Sequence, residues 1–143
     1  MKFKSRKDII IHFLALGFGL ISVFFISRIF SVGLENYDFT PAEIILFLST
    51  SYILWLYFGT EYELTSKEFI YKSGPIRGKV NIENISEIIT NKNVWAGIRP
   101  ALSINGMLIK FNKYDDIFIS TKNSEKFIEK ILEINNEIKI TRN

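Results

Sequence analysis

The sequence contains no cysteine, which excludes disulfides and thiolate metal sites and leaves the redox compartment open. Its single histidine, His12, lies inside an apolar run, so neither a histidine-based zinc site nor a Ser-His-Asp triad can be assembled within one chain. Gly-rich phosphate loops, nucleophile elbows and metal-ligand spacings are missing too. Asp115 and Asp116 stand side by side before a strand-like run and read as turn residues, not as an acid/base couple. The sequence therefore offers no catalytic, cofactor-binding or metal-binding residues, and the expectation is a non-enzyme. A net charge of +3 over 143 residues gives no warrant for nucleic-acid binding.

Charge is also absent locally. From Ile9 to Ser27 the chain reads IIIHFLALGFGLISVFFIS, with no Asp, Glu, Lys or Arg. As a helix this run rises about 28 Å, close to the hydrocarbon thickness of a bilayer. It is longer than a signal-peptide core and lacks a small-residue cleavage site, so it is read as uncleaved. A second run, uncharged from Ile44 to Gly59, opens on Thr40-Pro41-Ala42-Glu43. Thr40 can cap, Pro41 suits the first helical position, and Glu43 completes a capping box. Residues 1–59 are thus predicted to form a transmembrane helical hairpin, with spans of about 9–30 and 41–59. Lys2, Lys4, Arg6 and Lys7 precede it, and Lys67, Lys72, Arg77 and Lys79 follow, while the connection SVGLENYDFT has no Lys or Arg. Positive charge stays on the cytoplasmic side, so both termini are expected there in a multi-pass protein. Arg28, near the outer end, is read as snorkelling to headgroups. Ala15 and Gly19 form a small-xxx-small pair, and Ser49 and Ser51 are candidate hydrogen-bonding neighbours across the hairpin.

After Gly59 the periodicity becomes strand-like. Strands are predicted at Thr60–Leu64, Glu68–Lys72, Ile76–Ile82, Ile85–Thr90, Ala101–Ile104, Met107–Phe111 and Asp116–Ser120, with Asn105-Gly106 as a two-residue hairpin turn. A terminal helix capped by Asn123 or Ser124 follows, with Phe127, Ile128, Ile131, Leu132 and Ile138 on its apolar stripe.

Short strands followed by one helix, with Tyr62-Glu63-Leu64-Thr65, Lys72-Ser73-Gly74-Pro75, Ile82–Ile88, Ala101-Leu102-Ser103 and Ile119-Ser120, resemble the bacterial PH-domain family. The similarity is strongest to small YyaB-like membrane proteins, in which two transmembrane helices precede such a domain. The resemblance implies an α+β membrane protein, a two-helix hairpin followed at 60–143 by a PH-like curled β-sheet capped by a C-terminal α-helix. It implies a membrane-anchored interaction or scaffold module at the inner face of a bacterial membrane. An immunity protein that also joins a membrane anchor to a PH-like domain implies the alternative, protection against a membrane-active bacteriocin. Phosphoinositide-binding PH domains hold phosphates with several Lys and Arg around their first two strands. The corresponding turn is read here as Thr65-Ser66-Lys67, with one lysine, so phosphoinositide binding is not expected. The expected partners are the lipid bilayer and either a membrane or cytoplasmic protein or a second copy. The candidate interaction surface is the loop Asn91–Pro100, where Trp95 lies between Lys92 and Arg99.

Overall fold

The structure, a computed structural model, describes residues 1–92 and 99–142. The chain divides into two compact units, Ile9–Phe58 and a second made of Met1–Asp8 together with the chain from Gly59 onward.

The first unit holds two long apolar helices, α1 (Ile9–Val32) and α2 (Pro41–Gly59), joined through a short 3-10 turn at Leu34–Asn36. Only 6% of the apolar window of α1 and 11% of that of α2 is buried. Phe13, Leu16, Leu20 and Phe24 on α1, and Ile45, Leu48 and Phe58 on α2, all point outward. The start of α2 is the expected capping box. The Thr40 N–H and hydroxyl donate to Glu43 Oε2 at 2.8 and 2.9 Å, and the Glu43 N–H donates to Thr40 Oγ1 at 3.3 Å. The Tyr37 hydroxyl donates to the other carboxylate oxygen. The helices are tied by Ser22 Oγ and Thr50 Oγ1 at 2.9 Å and by the Tyr57 hydroxyl and His12 Nδ1 at 2.8 Å. Thr50 thus fills the role expected of Ser49 or Ser51. Gly19 does not mark a close helix approach, because a Cβ there would meet nothing within 4 Å.

In the second unit, β1 (Lys2–Lys4), β2 (Glu61–Leu64), β3 (Glu68–Ser73) and β4 (Ile76–Asn81) form one antiparallel sheet in that order. A second sheet has the order β7-β6-β5-β8, built from β5 (Ile85–Lys92), β6 (Gly106–Phe111), β7 (Asp115–Ile119) and β8 (Lys139–Arg142), with helix α3 (Ser124–Ile134) between β7 and β8. The α+β order of two apolar helices, curled sheets and a helix over the core is as expected.

The first eight residues correct the expected 1–59 boundary. Phe3 and Ser5 are buried while Lys2, Lys4 and Arg6 are exposed, the period-2 alternation of a strand with one face on a core. Phe3 pairs with Tyr62 and Lys4 with Glu61. Beyond β1 the chain forms isolated bridges to residues flanking the other sheet, Ser5 to Thr121 just after β7 and Lys7 to Leu102 ahead of β6, with Arg6 N donating to Ser120 O at 2.8 Å. The N-terminal segment therefore joins the first sheet to the chain on either side of β6 and β7. Phe3 meets Phe127 of α3 edge-on at 5.3 Å, and Phe127 meets Phe69 of β3 at 5.5 Å. Phe127 and Ile131 are fully buried in this core, so the stripe on α3 packs inward. Asn123 caps the helix, accepting from Lys126 N.

Three further expectations change. Ala101–Ile104 is not a strand, because Asp8 and the rest of the N-terminal segment hold it. Gly106 is not a turn residue but the first residue of β6. A Cβ there would lie 2.2 Å from Ile119 O and 2.7 Å from the Phe118 ring, so the strand crossing admits only glycine. Ile138 lies beyond α3 and is buried ahead of β8, which pairs parallel with β5. The expected loop also begins later than Asn91. That residue, at φ 57, is the extra residue of a bulge that sets Thr90 against Met107 and Lys92 against Gly106.

Candidate functional site

Of the three residues proposed from the sequence, Trp95 lies outside the described residues. The backbone of Lys92 closes the β5–β6 ladder opposite Gly106. Arg99 is half-buried, with its guanidinium carbon 4.8 Å from the centroid of the Phe118 ring. Phe118, Ile89 and Leu108 form a second, smaller buried cluster against which Ala101 packs. Arg99 is therefore engaged in covering an apolar surface as well as carrying charge, and its cation sits on a ring face.

Downstream of Arg99 the chain is fixed by groups distant in sequence. The buried Tyr62 hydroxyl donates to Pro100 O at 2.6 Å and accepts from Ser120 N at 3.2 Å. Burial raises its pKa, and the Ser5 and Ser120 contacts only partly oppose this, so it stays a neutral phenol. Ser5 Oγ donates to Ser120 O at 3.2 Å within the same network. Asp8 grips the following residues. Its carboxylate accepts from Ser103 Oγ at 2.7 Å and Ile104 N at 2.6 Å, while Asp8 N donates to Leu102 O at 3.0 Å. Burial works to raise the Asp8 pKa, but the Ile104 and Ser103 hydrogen bonds and the nearby Arg6 outweigh it, leaving it below the ordinary value. These bonds, with the isolated Lys7–Leu102 bridge, tie residues 102–104 to the N-terminal segment in place of a strand ladder.

Thr65–Lys67 joins β2 to β3, whereas the connection between the first two strands is the whole helical unit. Around those strands the exposed face carries Lys2, Lys4 and Arg6, with Glu61 and Glu63 opposite the lysines. Glu61 lies 3.7 Å from Lys72 and Glu68 lies 2.7 Å from Lys79, exposed pairs of small energetic weight. Asp115 accepts from Asn112 Nδ2 at 2.8 Å and the backbone of Asp116 pairs with Lys110 across the ladder, so both open β7 and are not turn residues. Among the described residues no three His, Cys, Asp or Glu side chains gather as a metal site.

Residues 60–135, which hold β2 to β7 and α3, match a sequence family described as Bacterial PH domain. The chain belongs to this family. It is also similar to the uncharacterized protein YyaB of Bacillus subtilis (strain 168), 32% identical over 96 residues, 66% of each chain, so it spans just under two thirds of that relative's length. The bacterial PH-domain match begins at Thr60 and leaves out β1, yet Phe3 belongs to the same core. The compact unit that holds the matched residues is discontinuous in sequence. Alternation in Lys2-Phe3-Lys4-Ser5-Arg6 was the signal for it, overshadowed by the charge of the same residues.

Proposed function

We propose that the protein is a membrane-anchored bacterial PH-domain module that presents a non-catalytic interaction domain at the cytoplasmic face. The observation that carries this reading is the pairing of β1 with β2 on either side of the two apolar helices. Strands of one sheet lie on one side of a membrane, so a segment inserted between them crosses it an even number of times. Two helices, of 24 and 19 residues, meet that condition with lengths of about 36 and 28 Å. Their largely unburied apolar surface favours lipid over a soluble core. Lys2, Lys4, Arg6 and Lys7 beside the first span, and a helix connection without Lys or Arg, favour the cytoplasm for the domain. The related Bacillus protein is itself uncharacterized and contributes no activity. Arg99, with Lys92 and Trp95 of the same segment, remains the proposed contact surface for a membrane or cytoplasmic protein partner or a second copy.

The absence of native cysteine makes a direct test clean. With a membrane-impermeant maleimide on intact cells, Asn36→Cys is expected to label and Lys67→Cys to label only after lysis. Labelling of Lys67→Cys in intact cells would overturn the reading.

A further inference from the structure

The strand registers define the end of the domain at which the chain leaves toward Asp8 and returns at Thr60. Lys4, Glu61, Lys72 and Arg77 pair in succession across the first sheet. One residue further, Thr60 Oγ1 meets Ser73 Oγ at 2.9 Å, and Ser73 pairs with Ile76. Lys4 and Thr60 are thus at the same end as the β3–β4 turn, Ser73–Ile76, where Gly74 takes φ 55, and the chain runs on past this end from Lys4 to Asp8. At the exit point the Ile104 N–H donates to the Asp8 carboxylate at 2.6 Å. The chain passes from Asp8 to Ile9 and from Gly59 to Thr60 with no intervening linker.

This end carries two large exposed aliphatic side chains, Ile76 at 41% and Ile104 at 45% exposure, beside exposed Pro75, Arg6 and Arg77. Exposure by itself does not select the end, because Tyr114, at 87%, lies on the β6–β7 turn at the far end. The two linker-free junctions select it. We infer that this end of the domain is seated in the headgroup layer, with Ile76 and Ile104 inserted at the acyl boundary and Arg6 and Arg77 against lipid phosphates. The inference rests on the anchored reading proposed above. Isoleucine side chains gain by leaving water at such a boundary, and guanidinium groups match phosphate with paired N–H donors. Anionic lipid adds attraction within a Debye length of the surface.

The test uses the full-length chain in vesicles of phosphatidylcholine with a minor share of phosphatidylglycerol. Single-cysteine variants Ile76→Cys, Ile104→Cys, Tyr114→Cys and Leu20→Cys each carry an environment-sensitive fluorophore. Lipids spin-labelled near the headgroup are expected to quench the probes at positions 76 and 104 several-fold more than the probe at 114, with iodide showing the reverse order. The probe at 20 reports helix insertion through lipids labelled deep in the chain. If it is quenched while the probes at 76 and 104 are as open to iodide as that at 114, the seating is overturned and the anchor stands. If the probe at 20 is not quenched by deep labels, the anchored reading fails and the seating with it.

Discussion

Asp8 is the last residue of the domain before α1, and its carboxylate is used on Ser103 and Ile104. A hydrogen bond to a charged acceptor is worth about 1.5–3 kcal/mol, so Asp8→Ala is expected to speed amide exchange at Ile104 at least about tenfold at neutral pH. The folded pKa is lowered, so the ionised carboxylate contributes stability fully above the unfolded value of about 3.9, and that contribution is lost as pH falls through the folded value. Parent and variant should therefore differ at neutral pH and converge only in acid. An Ile104 amide that exchanges equally in both at neutral pH would contradict the clamp. At this scale little was legible in the sequence. Arg99 was singled out for its charge, but its position over Phe118 depends on a pairing of β6 and β7 that no local pattern encodes. Asp8 looked like an ordinary polar residue before an apolar run, because its partners lie 95 and 96 residues away.

Among the elements, β1 and α3 depend on each other. Phe3 and Ile131 share the core with Phe127, Tyr62 and Phe69, each of them 6% exposed or less. Replacing a buried aromatic by alanine costs about 3–5 kcal/mol and a buried isoleucine about 2–5 kcal/mol. Thermal unfolding of the full chain in micelles should show Phe3→Ala as destabilising as Ile131→Ala, or more so. A Phe3→Ala chain that unfolds like the parent would mean that the N-terminal segment is a flank and not a strand. Elements with strong local signatures were readable. The apolar helices, the capping box at Thr40, the strands from Glu61 to Lys92 and the Asn123 cap follow from periodicity and short-range chemistry. Elements made by distant partners were not. β1 is a few residues long and its basic residues fit a membrane flank equally well, β8 is short and follows a helix whose stripe runs into it, and Asn105-Gly106 imitates a hairpin turn.

At the scale of the whole molecule the account turns on one arrangement, a bacterial PH domain whose first strand is separated in sequence from the rest by two apolar helices. The resemblance in the sequence pointed to the family and to the helix pair, but to helices placed before a complete domain. Helices inserted within the domain have both ends fixed by β-pairing, so anything that opens β1 from β2 also disturbs the junctions with the helices. Met1 and Leu64 exchange main-chain hydrogen bonds, so the alternate pair Lys4–Glu61 is of the closer, non-hydrogen-bonded kind suited to a disulfide. The most direct measurement is therefore oxidative cross-linking of the full-length Lys4→Cys/Glu61→Cys chain, with Lys4→Cys/Lys67→Cys as the control. The account predicts rapid, near-complete intramolecular disulfide formation in the first and little in the second. Failure of the disulfide between positions 4 and 61 to form, or equal cross-linking in the control, would contradict it.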